Sequence, residues 1–171
     1  PAVAVHDLVV HPRDNDLVIG THGRSIYVAN VEHLQKLTDA FQAKALHTYD
    51  LPSVNSGAGW GRMTWRMDGY YLPQYQLPFY AAQAGTARIN IRSGEGLMLK
   101  QITHQASRGL NYAVYGLSIE PAMAKSLETE LSRRNPFIIQ PADNGQYFLP
   151  VGKYQVEIEM NGQTEKRTLE V

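Results

Sequence analysis

Histidine is the residue type in this sequence best suited to bind a metal or exchange protons, and six histidines are present. Residues 12–16 (PRDND) predict a turn between two strands, and a five-residue connection would place His11 opposite Leu17 and His6 opposite His22. His11 lies an odd number of residues from His6, so it points to the other face of the sheet. A pair of histidines without a third ligand favours hydrogen-bonded structural residues over a metal centre. We therefore predict neither a metal nor a cofactor.

The other reactive side chains do not form a catalytic motif. No serine lies in a G-x-S-x-G nucleophile elbow, residues 21–24 (THGR) lack the pattern of a phosphate-binding loop, and cysteine is absent. Glu128 and Glu130 lie on a predicted surface helix as solvated charges, whereas a glycosidase needs two carboxyl groups facing each other across a cleft. We predict no catalytic residues in this chain.

Residues 53–76 form a long irregular stretch rich in aromatic side chains and glycine, which is typical of a loop with a function or with high mobility. One interpretation is a carbohydrate-binding surface whose rings stack on sugar faces, formed by Trp60, Trp65, Tyr70, Tyr71 and Tyr75. The alternative is that these rings pack the loop against the rest of the protein, where each buries roughly 150–250 Å². We favour packing.

The overall composition argues against several classes of partner. Sixteen basic and sixteen acidic residues cancel, and no basic stretch is present, so we predict no nucleic-acid partner. No apolar run approaches the roughly 18 residues of a membrane-spanning helix, and no signal peptide is recognisable. The absence of cysteine fits both the cytosol and many bacterial secreted proteins. Because the sequence begins with proline, we expect a processed or excised piece of a longer chain.

The first thirty residues predict a three-stranded meander with apolar side chains on both faces. The strands are expected at residues 3–11, 17–22 and 25–29. In the register given above, Leu8, Val10 and Val18 share one face, while Val5, Val9, Leu17 and Ile19 share the other. A sheet that is apolar on both faces must be covered on both, as a propeller blade is by its neighbours, and a single repeat cannot do this alone.

The pattern HDLVVHPRDNDLVIGTHGRSIYV in residues 6–28 resembles the last blade of the large sortilin-type β-propeller proteins with Asp-box repeats, which are commonly labelled glycosyl hydrolases. In that family a short helix and an Ig-like sandwich follow the blade, with a G-L-N segment and a later G-x-Y-x-V segment. Residues 109–111 (GLN) and 152–156 (GKYQV) match these segments. The Asp-box itself and an acidic pair are missing, so the resemblance does not transfer hydrolase activity to this chain.

The remaining sequence predicts about seven strands, the number expected of an Ig-like sandwich. Five are expected at residues 43–49, 79–83, 86–92, 97–103 and 112–119, and the last two form a hairpin within residues 152–171. Asn161-Gly162 predicts a type I′ turn in that hairpin. This turn pairs Ile158 with Glu165, Val156 with Arg167 and Tyr154 with Leu169.

Helices are expected only as short insertions. Asn30 can cap a first short helix, and Thr38 begins a second turn. Pro121 followed by an apolar stripe predicts a surface helix over residues 121–134. Residues 137–139 and 147–149 flank a turn and predict a small hairpin or an edge strand.

The sequence therefore predicts a mainly β protein. Residues 43–171 form an Ig-like antiparallel β-sandwich with a helical insertion near residues 121–134, and residues 1–42 form the remnant of a terminal propeller blade with a linker helix. The predicted function is that of a non-catalytic C-terminal accessory module of a secreted or periplasmic sortilin-like protein, whose partner is the missing upstream propeller of the same parent chain. The alternative is a carbohydrate-binding module that binds glycans through residues 60–75.

Overall fold

A computed structural model describes residues 3–23, 25–57, 59–63, 69–133 and 136–171. The chain divides into two compact units, Pro1–Lys44 and Ala45–Val171. Strands dominate both units, in several antiparallel sheets accompanied by short helices. The predicted mainly β class is confirmed.

The first unit is a three-stranded antiparallel meander followed by two short helices. Strands β1 (Val5–Val10), β2 (Asp16–Thr21) and β3 (Ile26–Asn30) lie in the order β1-β2-β3. Helices α1 (Glu32–Gln35) and α2 (Asp39–Gln42) follow, as the sequence predicts. Asn30 Oδ1 accepts a hydrogen bond from the backbone N–H of Glu32 at 3.1 Å, which satisfies one of the free donors at the start of α1.

The predicted register of the first hairpin is wrong by one residue. Leu17 pairs with Val10, not with His11, and Ile19 pairs with Leu8. Shifting a strand by one residue moves its side chains to the opposite face. Leu17 and Ile19 of β2 therefore share a face with Leu8 and Val10 of β1, and not with Val5 and Val9 as predicted.

The turn is shorter than predicted because Asn15 adopts a left-handed conformation, with φ 55°. Its N–H donates to the carbonyl of His11 at 2.9 Å, and the N–H of His11 donates to the carbonyl of Asp16 at 2.8 Å. Asparagine tolerates this conformation better than other residues with a side chain. The connection between His11 and Asp16 therefore contains the four residues 12–15.

The second unit contains the remaining strands and one longer helix. In chain order these are β4 (Leu46–Thr48), β5 (Tyr75–Ala81), β6 (Gly85–Arg92), β7 (Met98–Ala106), β8 (Gly109–Tyr115), β9 (Ser118–Ile119), α3 (Pro121–Ser132), β10 (Tyr147–Phe148), β11 (Lys153–Met160) and β12 (Gln163–Glu170). One sheet has the order β12-β11-β6-β7, and another has the order β4-β5-β8. Of the predicted small hairpin or edge strand, the described residues contain the second: strand β10 pairs with β9 in a two-stranded sheet and not with residues 137–139.

The closing hairpin has the predicted register. Asn161 and Gly162 have φ values of 49° and 76°, as a type I′ turn requires. Ile158 pairs with Glu165, and the pairing continues without a shift to the far end of both strands. Local turn chemistry therefore fixes the position of β12 beside β11.

Both large sheets contribute to one hydrophobic core. Phe79 from β5, Ile89 from β6 and Val156 from β11 are at most 2% exposed and belong to the same cluster. The ring of Phe79 packs edge-on against the ring of His104 on β7, with centroids 5.7 Å apart. Burial of such side chains is the main favourable contribution to folding.

Helix α3 is attached to this unit through its carboxylates as well as its apolar stripe. Ala124 and Leu127 are buried. Glu130 accepts a hydrogen bond from the Ser93 hydroxyl at 2.6 Å, and Glu128 accepts one from the N–H of Ile139 at 2.9 Å. Both glutamates, predicted as solvated surface charges, are half-buried and satisfy donors of neighbouring loops.

Candidate functional site

The three-stranded sheet of the first unit exposes apolar side chains on both faces. From the pairing of β1, β2 and β3, one face carries Leu8, Val10, Leu17, Ile19, Tyr27 and Ala29, and the other carries Val9, Val18, Ile26 and Val28. Several of these residues are strongly exposed: Leu8 57%, Val9 55%, Val10 43%, Ile26 72%, Tyr27 38% and Val28 61%. We call this sheet with its two faces the apolar meander. Contiguous exposed apolar surface of this kind marks an interaction site.

A β-bulge interrupts the apolar meander at His6. Val5 pairs with Thr21 and Asp7 pairs with Gly20, so His6 is the extra residue on β1. The predicted contact between His6 and His22 is present, with His6 Nε2 3.1 Å from His22 Nδ1 and the ring centroids 5.1 Å apart. Both histidines are exposed.

We call residues 53–76 the aromatic loop. Trp60 anchors the described part of this loop to the second unit. This side chain is 9% exposed, and its ring lies 5.9 Å from that of Phe148, measured between centroids. A Cβ atom on Gly57 would lie 2.5 Å from Trp60 Nε1, so only glycine permits this approach. Trp60 therefore packs against the protein and does not offer an open ring face.

The remaining aromatic candidates are divided between packing and exposure. The Tyr75 hydroxyl donates to the carbonyl of Pro52 at 2.7 Å, and burial raises the pKa of Tyr75 to about 12. Tyr70 and Tyr71 are 41% and 45% exposed. Trp65 lies outside the described residues. Of the five predicted sugar-binding residues, only the two adjacent tyrosines are described and open to a ligand.

A cleft of about 440 Å³ lies beside the base of this loop. Its walls include Trp60, Arg62, Ile139, Asp143 and Phe148. The volume falls within the range of roughly 300–1,000 Å³ typical of small-molecule sites, but the exposed lining of this cleft is more polar than apolar, unlike that of most such sites. Sequence patterns do not reveal this cleft, because residues far apart in the chain form it.

A row of polar side chains crosses the four-stranded sheet at one level. Strand register places Gln101, Asn90, Glu157 and Lys166 next to one another on β7, β6, β11 and β12. Gln101 Nε2 donates to Asn90 Oδ1 at 2.8 Å, and Asn90 Nδ2 donates to Glu157 Oε1 at 3.3 Å. Lys166 Nζ lies 2.9 Å from Glu157 Oε2. The row links all four strands through side chains.

Two members of this polar row are nearly inaccessible to solvent. Asn90 is 2% exposed and Glu157 is 6% exposed, although strand alternation places them on the face opposite the core residue Ile89. The hydrogen bond from Lys166 is the main reason that the pKa of Glu157 is lowered from 4.5, with desolvation acting in the opposite direction. Glu157 is therefore a charged, paired carboxylate near neutral pH.

We expect the interaction between Glu157 and Lys166 to weaken on acidification. Because the folded pKa of Glu157 lies below its ordinary value of 4.5, the stabilisation is complete above that value and is lost as the pH falls through the folded value. A double-mutant cycle with Glu157→Gln and Lys166→Met should give a coupling energy of about 0.5–1 kcal/mol at neutral pH. Urea denaturation at pH 7 and at successively lower pH values, as far as the protein stays folded, measures it. A coupling energy that stays the same across these pH values would contradict the assignment.

Potential metal ligands, the side chains of His, Asp and Glu, do not form a cluster of three or more among the described residues. In the same part of the chain, no helix has both the length and the apolar character needed to cross a membrane. No protein-family model matches the chain, and no curated protein or solved structure matches it either.

Proposed function

We propose that this chain is a non-catalytic C-terminal accessory module of a larger secreted, sortilin-like β-propeller protein. The apolar meander would be the last blade of that propeller, and residues 43–171 would form an Ig-like β-sandwich that braces it. The observation that carries the proposal is the exposure of apolar side chains on both faces of the meander. The resemblance of residues 6–28 to such a blade specifies the expected neighbour.

The energetics favour a neighbouring sheet as the missing partner. Burying one Val, Leu or Ile side chain is worth about 1.5–3 kcal/mol, so covering Val9, Ile26 and Val28 on one face and Leu8 and Val10 on the other is a large gain. Stacked sheets lie about 10 Å apart and interdigitate such residues. Adjacent blades provide this cover on both faces at once.

The second unit supports the role of a bracing module. Its four-stranded and three-stranded sheets share one core and together have the strand number of an Ig-like sandwich. Asn90 in its four-stranded sheet and Glu130 on its helix are engaged in structural hydrogen bonds. A module that uses such polar groups to hold its own strands and helix together suits the support of a neighbouring domain.

The proposal is tested by comparing this chain with the product of its full open reading frame. We expect the upstream sequence to encode further blades of the same pattern. Hydroxyl-radical footprinting should label Ile26 and Val28, which are 72% and 61% exposed, in this chain and leave them protected in the longer product. Equal labelling in both proteins, or an upstream sequence without blades, would refute the proposal.

Val28→Lys should lower the free energy of unfolding much more in the longer protein than in this chain. In this chain the side chain is exposed, so the free energy of unfolding should change by less than about 0.5 kcal/mol. In the longer protein the lysine would be buried without a partner, so we expect destabilisation of about 3 kcal/mol or more. Thermal and urea denaturation of both proteins provide the measurement.

Val151→Lys is the matched control for this comparison. Val151 is 72% exposed and lies in the second unit, away from the residues of the apolar meander in the sequence. Its replacement should be nearly neutral in both proteins. If Val28→Lys changes the free energy of unfolding of the longer protein as little as Val151→Lys does, the apolar meander is not a covered blade.

The exposed pair Tyr70 and Tyr71 favours a second function, binding of glycans. Titrating the purified chain with a panel of plant and host glycans while recording tryptophan fluorescence tests it, since both tryptophans lie in the aromatic loop. Saturable binding that is lost in Tyr70→Ala and Tyr71→Ala would establish the carbohydrate-binding function. A flat response to every glycan would eliminate it without affecting the bracing role.

A further inference from the structure

The His6–His22 pair has the separation that a metal ion requires of two ligands. Bonds of about 2.0–2.1 Å from a metal to two imidazole nitrogens place those nitrogens about 2.8–3.4 Å apart for angles between square and tetrahedral. The distance between His6 Nε2 and His22 Nδ1 is 3.1 Å, within this interval. In this contact one ring N–H donates a hydrogen bond to the other ring nitrogen, so a bound ion would replace that bond and the rings would turn until both lone pairs meet at the ion.

The backbone provides a second, independent indication that this contact is specified by the fold. His6 is the extra residue of the β-bulge, and His22 follows the last residue of β2. The N–H of His22 donates to the carbonyl of Ala4 at 3.1 Å, which continues the pairing of the two segments of the hairpin beyond the bulge. Bulges commonly redirect a side chain at a functional site, and this bulge brings His6 within reach of His22.

We propose that His6 and His22 form a chelating site for a divalent transition-metal ion. Imidazole nitrogens suit Cu²⁺, Ni²⁺ and Zn²⁺, and the general order of affinities places Cu²⁺ first. Both side chains are exposed, so the remaining coordination positions stay open to water or to a ligand atom from another molecule. With only two protein ligands the site binds exchangeably, unlike a closed structural centre.

Isothermal titration of the metal-free chain with CuCl₂, NiCl₂ and ZnCl₂ tests the site. We expect one ion per chain, bound most tightly for Cu²⁺. His6→Ala and His22→Ala should each weaken binding by about tenfold or more, since each removes half of the protein ligands. The ion should also raise the melting temperature of the wild-type protein and not that of either variant.

His11→Ala is the matched control. His11 is an exposed histidine on the same hairpin, and its Nδ1 lies 3.2 Å from a carboxylate oxygen of Asp14, so it is the obvious competing site. The His11→Ala variant should leave Cu²⁺ binding unchanged. The proposal is overturned if the wild-type chain binds none of the three ions, if only one of the two alanine variants loses affinity, or if binding depends on His11 instead. Circular dichroism spectra verify that the variants remain folded.

Discussion

Replacing Phe79 by alanine is expected to lower the free energy of unfolding of the second unit by about 3–5 kcal/mol. Phe79 is 0% exposed, and its ring meets the ring of His104 from the other large sheet. The change removes the transfer free energy of the ring and leaves a cavity between elements that strand pairing holds in place. Few single changes in this unit should cost more.

Urea denaturation followed by tryptophan fluorescence measures this effect, because both tryptophans belong to the second unit. Val114→Ala is the matched control, since Val114 is 55% exposed on β8, in the same sheet as Phe79. It should cost less than about 0.5 kcal/mol. Similar losses for the two variants would show that Phe79 does not occupy a tightly packed core.

Gly61→Ala should destabilise the base of the aromatic loop by about 2–4 kcal/mol. Gly61 has φ 71°, a left-handed conformation that is unfavourable for alanine. An added Cβ would also lie 2.5 Å from Ala142 Cβ and 2.8 Å from the ring of Phe148. Trp60 packs on the same phenylalanine, so its environment should change as the loop moves away.

Tryptophan emission distinguishes local release of the loop from a change elsewhere. We expect a red shift in Gly61→Ala, as Trp60 gains access to water. Gly59→Ala is the matched control two residues earlier, where an added Cβ meets nothing within 4 Å. That variant should keep the wild-type spectrum and stability, since alanine also reduces the freedom of the unfolded chain. A red shift of equal size in both variants would contradict the anchoring of Trp60.

Features set by a few neighbouring residues could be predicted. The turn at Asn161-Gly162 fixed the register of the closing hairpin, and the apolar stripe after Pro121 located helix α3. The predicted register of the first hairpin was wrong because a single left-handed residue, Asn15, shortened its turn. Turn signals rich in Pro, Asp and Asn allow several loop lengths, whereas Asn-Gly strongly favours a single type.

Burial of individual side chains could not be predicted from neighbouring residues. Trp60 was a candidate for sugar stacking by its type, yet it packs on Phe148, which lies 88 residues further along the chain. Asn90 and Glu157 alternate with core residues and so suggest an exposed face, but both are nearly inaccessible and bonded to neighbours on adjacent strands. Each outcome depends on partners that only the tertiary structure brings together.

The sequence by itself determined the β class, the closing hairpin and the presence of apolar residues on both faces of the first sheet, because strand alternation and turn geometry act over a few residues. Only the tertiary structure decided the cleft beside Trp60, the buried charge of Glu157 and the β-bulge at His6 through which the predicted contact with His22 is made. These depend on distances across strands, which a one-residue shift or a bulge changes without altering the local pattern.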